Sequence, residues 1–263
     1  MIEIMGIVNA TPDSFSDGGE HFGTEAAVSH ARDLADLGAT ILDIGGESTR
    51  PGSEPVGAEE ELARVVPVIE RLAGDGSVLS VDTYRAEVAE RAIEAGAAIV
   101  NDVSGGRADA DMFRVVAGSQ AEIVIGHWRG PSGDMYARAE YAEIGREVAH
   151  ELREQVDSAV AAGVDPSRIV LDPGIGFAKA GKQNWRLLRE LDAITSLGFR
   201  VLVGTSRKRF LTSALGEDPS RERRDLATAT TSALAQRAGA WGVRVHDVTS
   251  TRDALAVVDE WDG

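Results

Sequence analysis

Eight short apolar runs recur along this chain of 263 residues, and each ends in or beside a polar residue. The runs are Ile4–Val8, Ala39–Ile44, Val78–Val81, Ala98–Val100, Glu122–Ile125, Arg168–Leu171, Arg200–Val203 and Trp241–Val245, and the polar residues are Asn9, Asp43, Asp82, Asn101, His127, Asp172, Ser206 and His246. Runs that are apolar at nearly every position describe strands covered on both faces, not half-exposed ones that alternate. Between them lie helix-like segments: Thr24–Leu37, Ala58–Leu72, Ala86–Ala95, Ala110–Ala117, Tyr136–Ala162, Trp185–Leu197, Asp225–Ala238 and Ser250–Trp261. Eight of each in alternation predicts an α/β fold, a (β/α)8 TIM barrel. Its strand ends, where these polar residues fall, form the face that carries chemistry.

A mass of 27.8 kDa suits one barrel domain spanning 1–263, and no linker divides the chain. There is no cysteine, which excludes disulfides, thiolate metal sites and a cysteine nucleophile. That suits a cytoplasmic protein. No long apolar segment and no basic leader are present, so neither a membrane nor export is expected. The net charge of -16 repels polyanions, so nucleic acid and anionic membrane are not expected partners.

Several helix-like segments finish on a glycine just before the next run: Gly38, Gly96, Gly163, Gly198 and Gly239. Each fits a left-handed helix end and a tight turn into a strand. On the opposite side, the stretches Asn9–Phe22, Gly45–Gly57 and Asp172–Asn184 are long, glycine-rich and mixed in charge. Such loops on a rigid barrel are where lids and ligand clamps sit.

Closure brings Asp82, Asn101 and Asp172 around one opening. Each residue type also caps helices, and that reading stays open for Asp82 and Asn101. Taken together, two carboxylates and an amide suit a flat heterocycle that offers several N–H groups beside an acceptor. Lys208 lies in Gly204–Phe210 after the seventh run, within a basic cluster that the overall acidity does not predict. It suits a carbonyl, a carboxylate or a phosphate. Arg244 and His246 alternate onto one side of the eighth run, next to Asn9 of the first. The three form a donor set for a phosphate-like anion, while an Arg244 ion pair with Asp43 or Asp247 is the alternative. No nucleotide-binding glycine motif accompanies them.

These segments resemble dihydropteroate synthase. The matching blocks are Met5–Gly19, Asp43–Gly52, Ser80–Thr83, Asn101–Gly106, Asp172–Phe177, Gly204–Phe210 and Arg244–His246. The resemblance implies condensation of 6-hydroxymethyl-7,8-dihydropterin diphosphate with 4-aminobenzoate. By the same likeness Asp82, Asn101, Asp172 and Lys208 hold the pterin, and Asn9, Arg244 and His246 hold the diphosphate with Mg2+, Asn9 being the metal ligand. Phe15, Thr49, Arg50, Pro51, Phe177, Lys208 and Arg209 border the aminobenzoate, and Asp17, Arg50, Lys208 and Arg244 are the catalytic set. A homodimer is also implied.

Two positions depart from the family pattern: Ala10 replaces a bulkier residue, and Gly126 replaces a methionine that packs on the pterin. Loss of that side chain is expected to cost about 1 to 3 kcal/mol of contact. Two other readings remain: a pterin-dependent methyltransferase, disfavoured by Arg244–His246 and Ser206–Arg209, and a binding paralogue without turnover, which Gly126 alone supports.

Overall fold

The computed structural model describes residues 2–10, 20–47, 56–130 and 139–263. In chain order the elements are β1 (Glu3–Asn9), α1 (Glu20–Asp36), β2 (Ile41–Gly45), α2 (Ala58–Leu72), β3 (Val78–Asp82), α3 (Ala86–Ala95), β4 (Ile99–Asp102) and α4 (Met112–Ala117). They continue with β5 (Glu122–Gly126), α5 (Ile144–Ala161), β6 (Ile169–Asp172), α6 (Lys182–Arg189), α7 (Asp192–Thr195), β7 (Arg200–Val203), α8 (Thr212–Leu215), α9 (Arg221–Arg237), β8 (Gly242–Val245) and α10 (Val248–Asp262). Each strand pairs in parallel with the next. Pairing of Glu3 with Gly242 and Met5 with Arg244 then joins β1 to β8 and closes the barrel.

The apolar runs are explained by two separate cores. Met5, Ile41, Ile99, Val124, Val170 and Leu202 point inward and fill the barrel floor. The intervening residues face the helices, where α2 buries Val65, Val68, Ile69 and Leu72 at helical spacing. Truncating Leu72, which is 1% exposed, to alanine should cost about 2–5 kcal/mol. No helix among the described residues is long and apolar enough to cross a membrane.

The five glycines before strands have φ between 84° and 122°, as the turn reading requires. Two helical expectations need correction. The segment expected from Tyr136 becomes helical, among the described residues, only at Ile144. Upstream of it, Glu147 Oε1 accepts the N–H groups of Ala142 and Glu143 at 2.7 and 2.8 Å, and Arg129 Nη1 donates to Glu140 O at 2.8 Å. These bonds satisfy backbone groups that an extended helix would have used. The segment Trp185–Leu197 is broken into α6 and α7. At the break, Glu190 reaches α5, where Oε2 accepts the Gly145 N–H at 3.0 Å, so a tertiary cap outcompetes helix continuation.

Candidate active site

Alternation along a strand sends every second side chain inward. On β1 the inward set is Met5, Ile7 and Asn9; on β2, Ile41 and Asp43; on β4, Ile99 and Asn101; on β6, Val170 and Asp172. In this register the inner face changes from apolar at the floor to polar at the C-terminal mouth. Asp82 on β3 and Arg244 on β8 stand at the same level.

Asp43 is the hub of this layer. It is fully buried, its Oδ1 accepts the Ser80 hydroxyl at 2.6 Å, and its Oδ2 accepts Asn101 Nδ2 at 3.0 Å and Arg244 Nε at 2.6 Å. Arg244 also donates from Nη2 to Asp82 Oδ2 at 2.6 Å. The ion pair that sequence left as an alternative is therefore present with Asp43, and its second partner is Asp82, not Asp247. Asp247 instead caps α10 by accepting the Ser250 N–H.

Two carboxylates share one guanidinium here. Burial opposes the charge on Arg244, but Asp43 and Asp82 outweigh it and raise its pKa. Burial pushes the Asp82 carboxyl up to about 7, with Arg244 pulling it down and Asp43 adding to the rise. Asp82 thus gives up a proton less readily than an exposed carboxyl.

The other groups sit across the mouth. Asp172 Oδ1 accepts the Gly174 N–H at 2.7 Å, which orients the carboxylate and leaves Oδ2 for a ligand. Lys208 is half-buried, donates to Ile175 O and lies 4.6 Å from the Phe177 ring centroid. Burial pulls its pKa down to about 8 against the attraction of Asp172, while Arg244 adds to the fall and Asp82 opposes it. Just past β8, His246 Nδ1 lies 2.8 Å from Ser206 Oγ, which also accepts the His246 backbone N–H at 3.1 Å. The Ser206 hydroxyl can then donate to Nδ1, which places the ring proton on Nε2.

The basic cluster after β7 separates into three environments. Arg207 turns away to Asp225 with bonds of 2.6 and 2.9 Å, Lys208 faces the mouth, and Arg209 is exposed beyond it. The structure thus brings together Asp82, Asn101, Asp172, Lys208, Arg244 and Asn9, with His246 and Phe177 at the rim. Phe15, Asp17, Thr49, Arg50 and Pro51 lie outside the described residues.

His127 departs from the ring of strand ends. It follows inward-facing Gly126 and so points outward, where Nε2 lies 3.0 Å from Glu151 Oε2 on α5. Gly126 itself is explained by close packing: a Cβ there would lie 2.6 Å from Val103 O and 2.8 Å from Val103 Cα. The backbone after β4 occupies the space that a side chain would need, so in this chain the position does not hold an empty methionine site. Asp43 was assigned no firm role from sequence, although its inward register was a usable signal. Lys179, buried in the connection between β6 and α6, escapes sequence reasoning altogether.

A family model described as pterin binding enzyme matches residues 5–246. A dihydropteroate synthase of Mycobacterium leprae is 48% identical over 265 residues, covering 99% of this chain and 93% of its own length. The structure of Xanthomonas albilineans dihydropteroate synthase with 4-aminobenzoic acid superposes with a TM-score of 0.93 at 44% identity, covering 100% of this chain and 93% of the other. The same species' enzyme in complex with 7,8-dihydropteroate gives 0.89 at 41% identity, covering 100% and 94%. With this likeness running the length of the barrel and through its polar mouth, the chain belongs to the pterin-binding enzyme family, as a dihydropteroate synthase.

Proposed function

We propose that this barrel joins 6-hydroxymethyl-7,8-dihydropterin diphosphate to 4-aminobenzoate, releasing diphosphate, by departure of the leaving group followed by attack of the arylamine on the pterin methylene. One observation carries the reading: Arg244 is fixed between Asp43 and Asp82, so anion donors and heterocycle acceptors share one mouth. A guanidinium has five N–H donors. Two are used on the carboxylates, and the others remain for a phosphate-like group.

Asp82, Asn101, Asp172 and Lys208 bind the pterin. Commitment of Asn101 Nδ2 to Asp43 leaves its Oδ1 as an acceptor for a heterocycle N–H. Lys208 suits the neighbouring carbonyl oxygen. Asn9, Arg244 and His246 oppose the charge that develops on the departing diphosphate, and Asp17 opposes the positive charge left at the methylene. A neutral arylamine is already nucleophilic, so no strong general base is required. Phe15, Thr49, Arg50, Pro51, Phe177 and Arg209 border the aminobenzoate, and exclusion of water from the mouth protects the cation from competing attack.

The amide oxygen of Asn9 is a hard donor of the kind Mg2+ takes. Such a donor fits an ion held by Asn9 together with substrate phosphate oxygens and water. When bound, it supplies neutralisation of the leaving group's charge. A cytoplasmic homodimer of single-domain subunits completes the reading; exposed Leu226 and Leu234 on α9 with Val257 and Trp261 on α10 offer apolar surface for a second copy.

The test is product formation by purified protein with Mg2+ and both substrates. The reading expects diphosphate and dihydropteroate in equal amounts. Bound pterin diphosphate with no product above a protein-free control would sink it.

A further inference from the structure

Lys179, in the connection between β6 and α6, takes no part in the reaction above, yet it is 1% exposed. Its ammonium donates to His127 Nδ1 at 2.9 Å, Gly174 O at 3.0 Å and Phe177 O at 2.9 Å. Those contacts use all three N–H donors of a lysine. Among the described residues no carboxylate lies within ion-pair distance of it, so the buried charge is held by neutral acceptors. Such a charge is costly unless every donor is satisfied in a fixed geometry.

Because Lys179 donates to Nδ1, the His127 proton sits on Nε2 and is donated to Glu151. Glu151 pairs with Arg129, whose guanidinium lies 3.8 Å over the Tyr141 ring, and the Tyr141 hydroxyl donates to Ala178 O at 3.1 Å. The chain of contacts therefore leaves the β6–α6 connection at Lys179 and returns to it at Ala178. Lys208 holds Ile175 O, and Asn184 Oδ1 accepts the Gly176 N–H at 2.6 Å. The backbone so held is unusual: φ is 67° at Gly174, 86° at Gly176 and 49° at Ala178. A Cβ on Gly174 would lie 2.2 Å from His127 O. A non-glycine residue in this region persists only where its surroundings over-determine it.

We propose that Lys179 is a positioning residue for the aminobenzoate side of the mouth: anchored on His127, its buried ammonium fixes the Gly174 and Phe177 carbonyls and so sets the Phe177 ring against Lys208. This rests on the reaction assigned above. Lys179 touches no substrate and acts through the backbone that carries Phe177.

Lys179→Met keeps the stem and deletes the donors. Steady-state kinetics with both substrates varied should give a rise of about tenfold in KM for 4-aminobenzoate, with KM for the pterin diphosphate within about twofold of wild type. His127→Phe, which removes the anchoring acceptor together with the Nε2 donor to Glu151, should show the same selectivity and serves if the methionine variant does not fold. Unchanged KM values, or parallel rises for both substrates, in an active background would overturn the inference alone. A wild-type protein that makes no dihydropteroate would overturn the assigned reaction and this inference with it.

Discussion

Replacing Asp43 by asparagine isolates the charge at the hub of the barrel mouth. Asparagine retains the shape, and turning its oxygen toward Arg244 Nε and Asn101 Nδ2 preserves both of those bonds, now at 2.6 and 3.0 Å. Its NH2 then faces Ser80 Oγ, which can rotate from donor to acceptor. What is lost is one of two anions around Arg244. Removing a partner from a buried ion pair typically costs about 3–5 kcal/mol. Here Asp82 remains 2.6 Å from Nη2, and the Arg244 side chain is 20% exposed. We therefore expect a loss of about 1–3 kcal/mol for Asp43→Asn. Asp43→Ala also strands the Asn101 and Ser80 donors, each worth about 1–3 kcal/mol if left unsatisfied, and must be distinctly worse. Urea unfolding at pH 7 gives both differences from the midpoints when the slope is unchanged. The asparagine variant should also lose about tenfold or more in kcat/KM, because Arg244 is no longer held from both sides. Equal destabilisation by the two substitutions, or a loss below about 0.5 kcal/mol for asparagine, would refute the assignment of Asp43 as a charged hub.

Gly126→Met should not restore a family contact; it should destabilise by about 1–3 kcal/mol in thermal or urea unfolding, because the Val103 backbone stands where Cβ must go. A gain in both stability and pterin affinity would contradict this. His127 is held at about 3, first by burial and next by Lys179. Its pKa is depressed on folding, so its contribution to stability is complete above its ordinary 6.5 and is lost as pH falls toward 3. His127→Phe should therefore show a shallower loss of stability with acid than wild type in unfolding measured across that range, and an identical pH dependence would count against the buried neutral imidazole. Removal of Mg2+ by a chelator should abolish most turnover while leaving binding of a pterin without diphosphate unchanged; full activity in the metal-free protein would remove the ion from the account.

Much of this architecture was legible because buried parallel strands leave a plain signature, and the strand-ending residues Asn9, Asp82, Asn101 and Asp172 fall where alternation aims them inward. His127 carried the same superficial signature but sits one residue out of phase, so it serves the outer layer. The break between α6 and α7 left no pattern, since it depends on Glu190 reaching Gly145 from a distant part of the chain. Lys179 was hidden for a related reason. A lysine in a glycine-rich loop reads as solvated, and only the folded loop reveals that its own carbonyls and His127 provide three acceptors. Nor is it visible in the sequence that Arg244, assigned to the anion, is bonded to Asp82, assigned to the pterin.

That bond makes Asp82 and Arg244 poor probes of the division between pterin clamp and anion site, whereas Asp172 ends β6 and His246 follows β8, on either side of it. Calorimetric titration of the dihydropterin diphosphate, and of the same dihydropterin alcohol without diphosphate, into wild type, Asp172→Asn and His246→Ala therefore tests the assignment most directly. The account predicts that Asp172→Asn weakens both ligands by a similar factor, about tenfold or more, while His246→Ala weakens only the diphosphate by about that amount. Equal weakening of both ligands by both variants would contradict it.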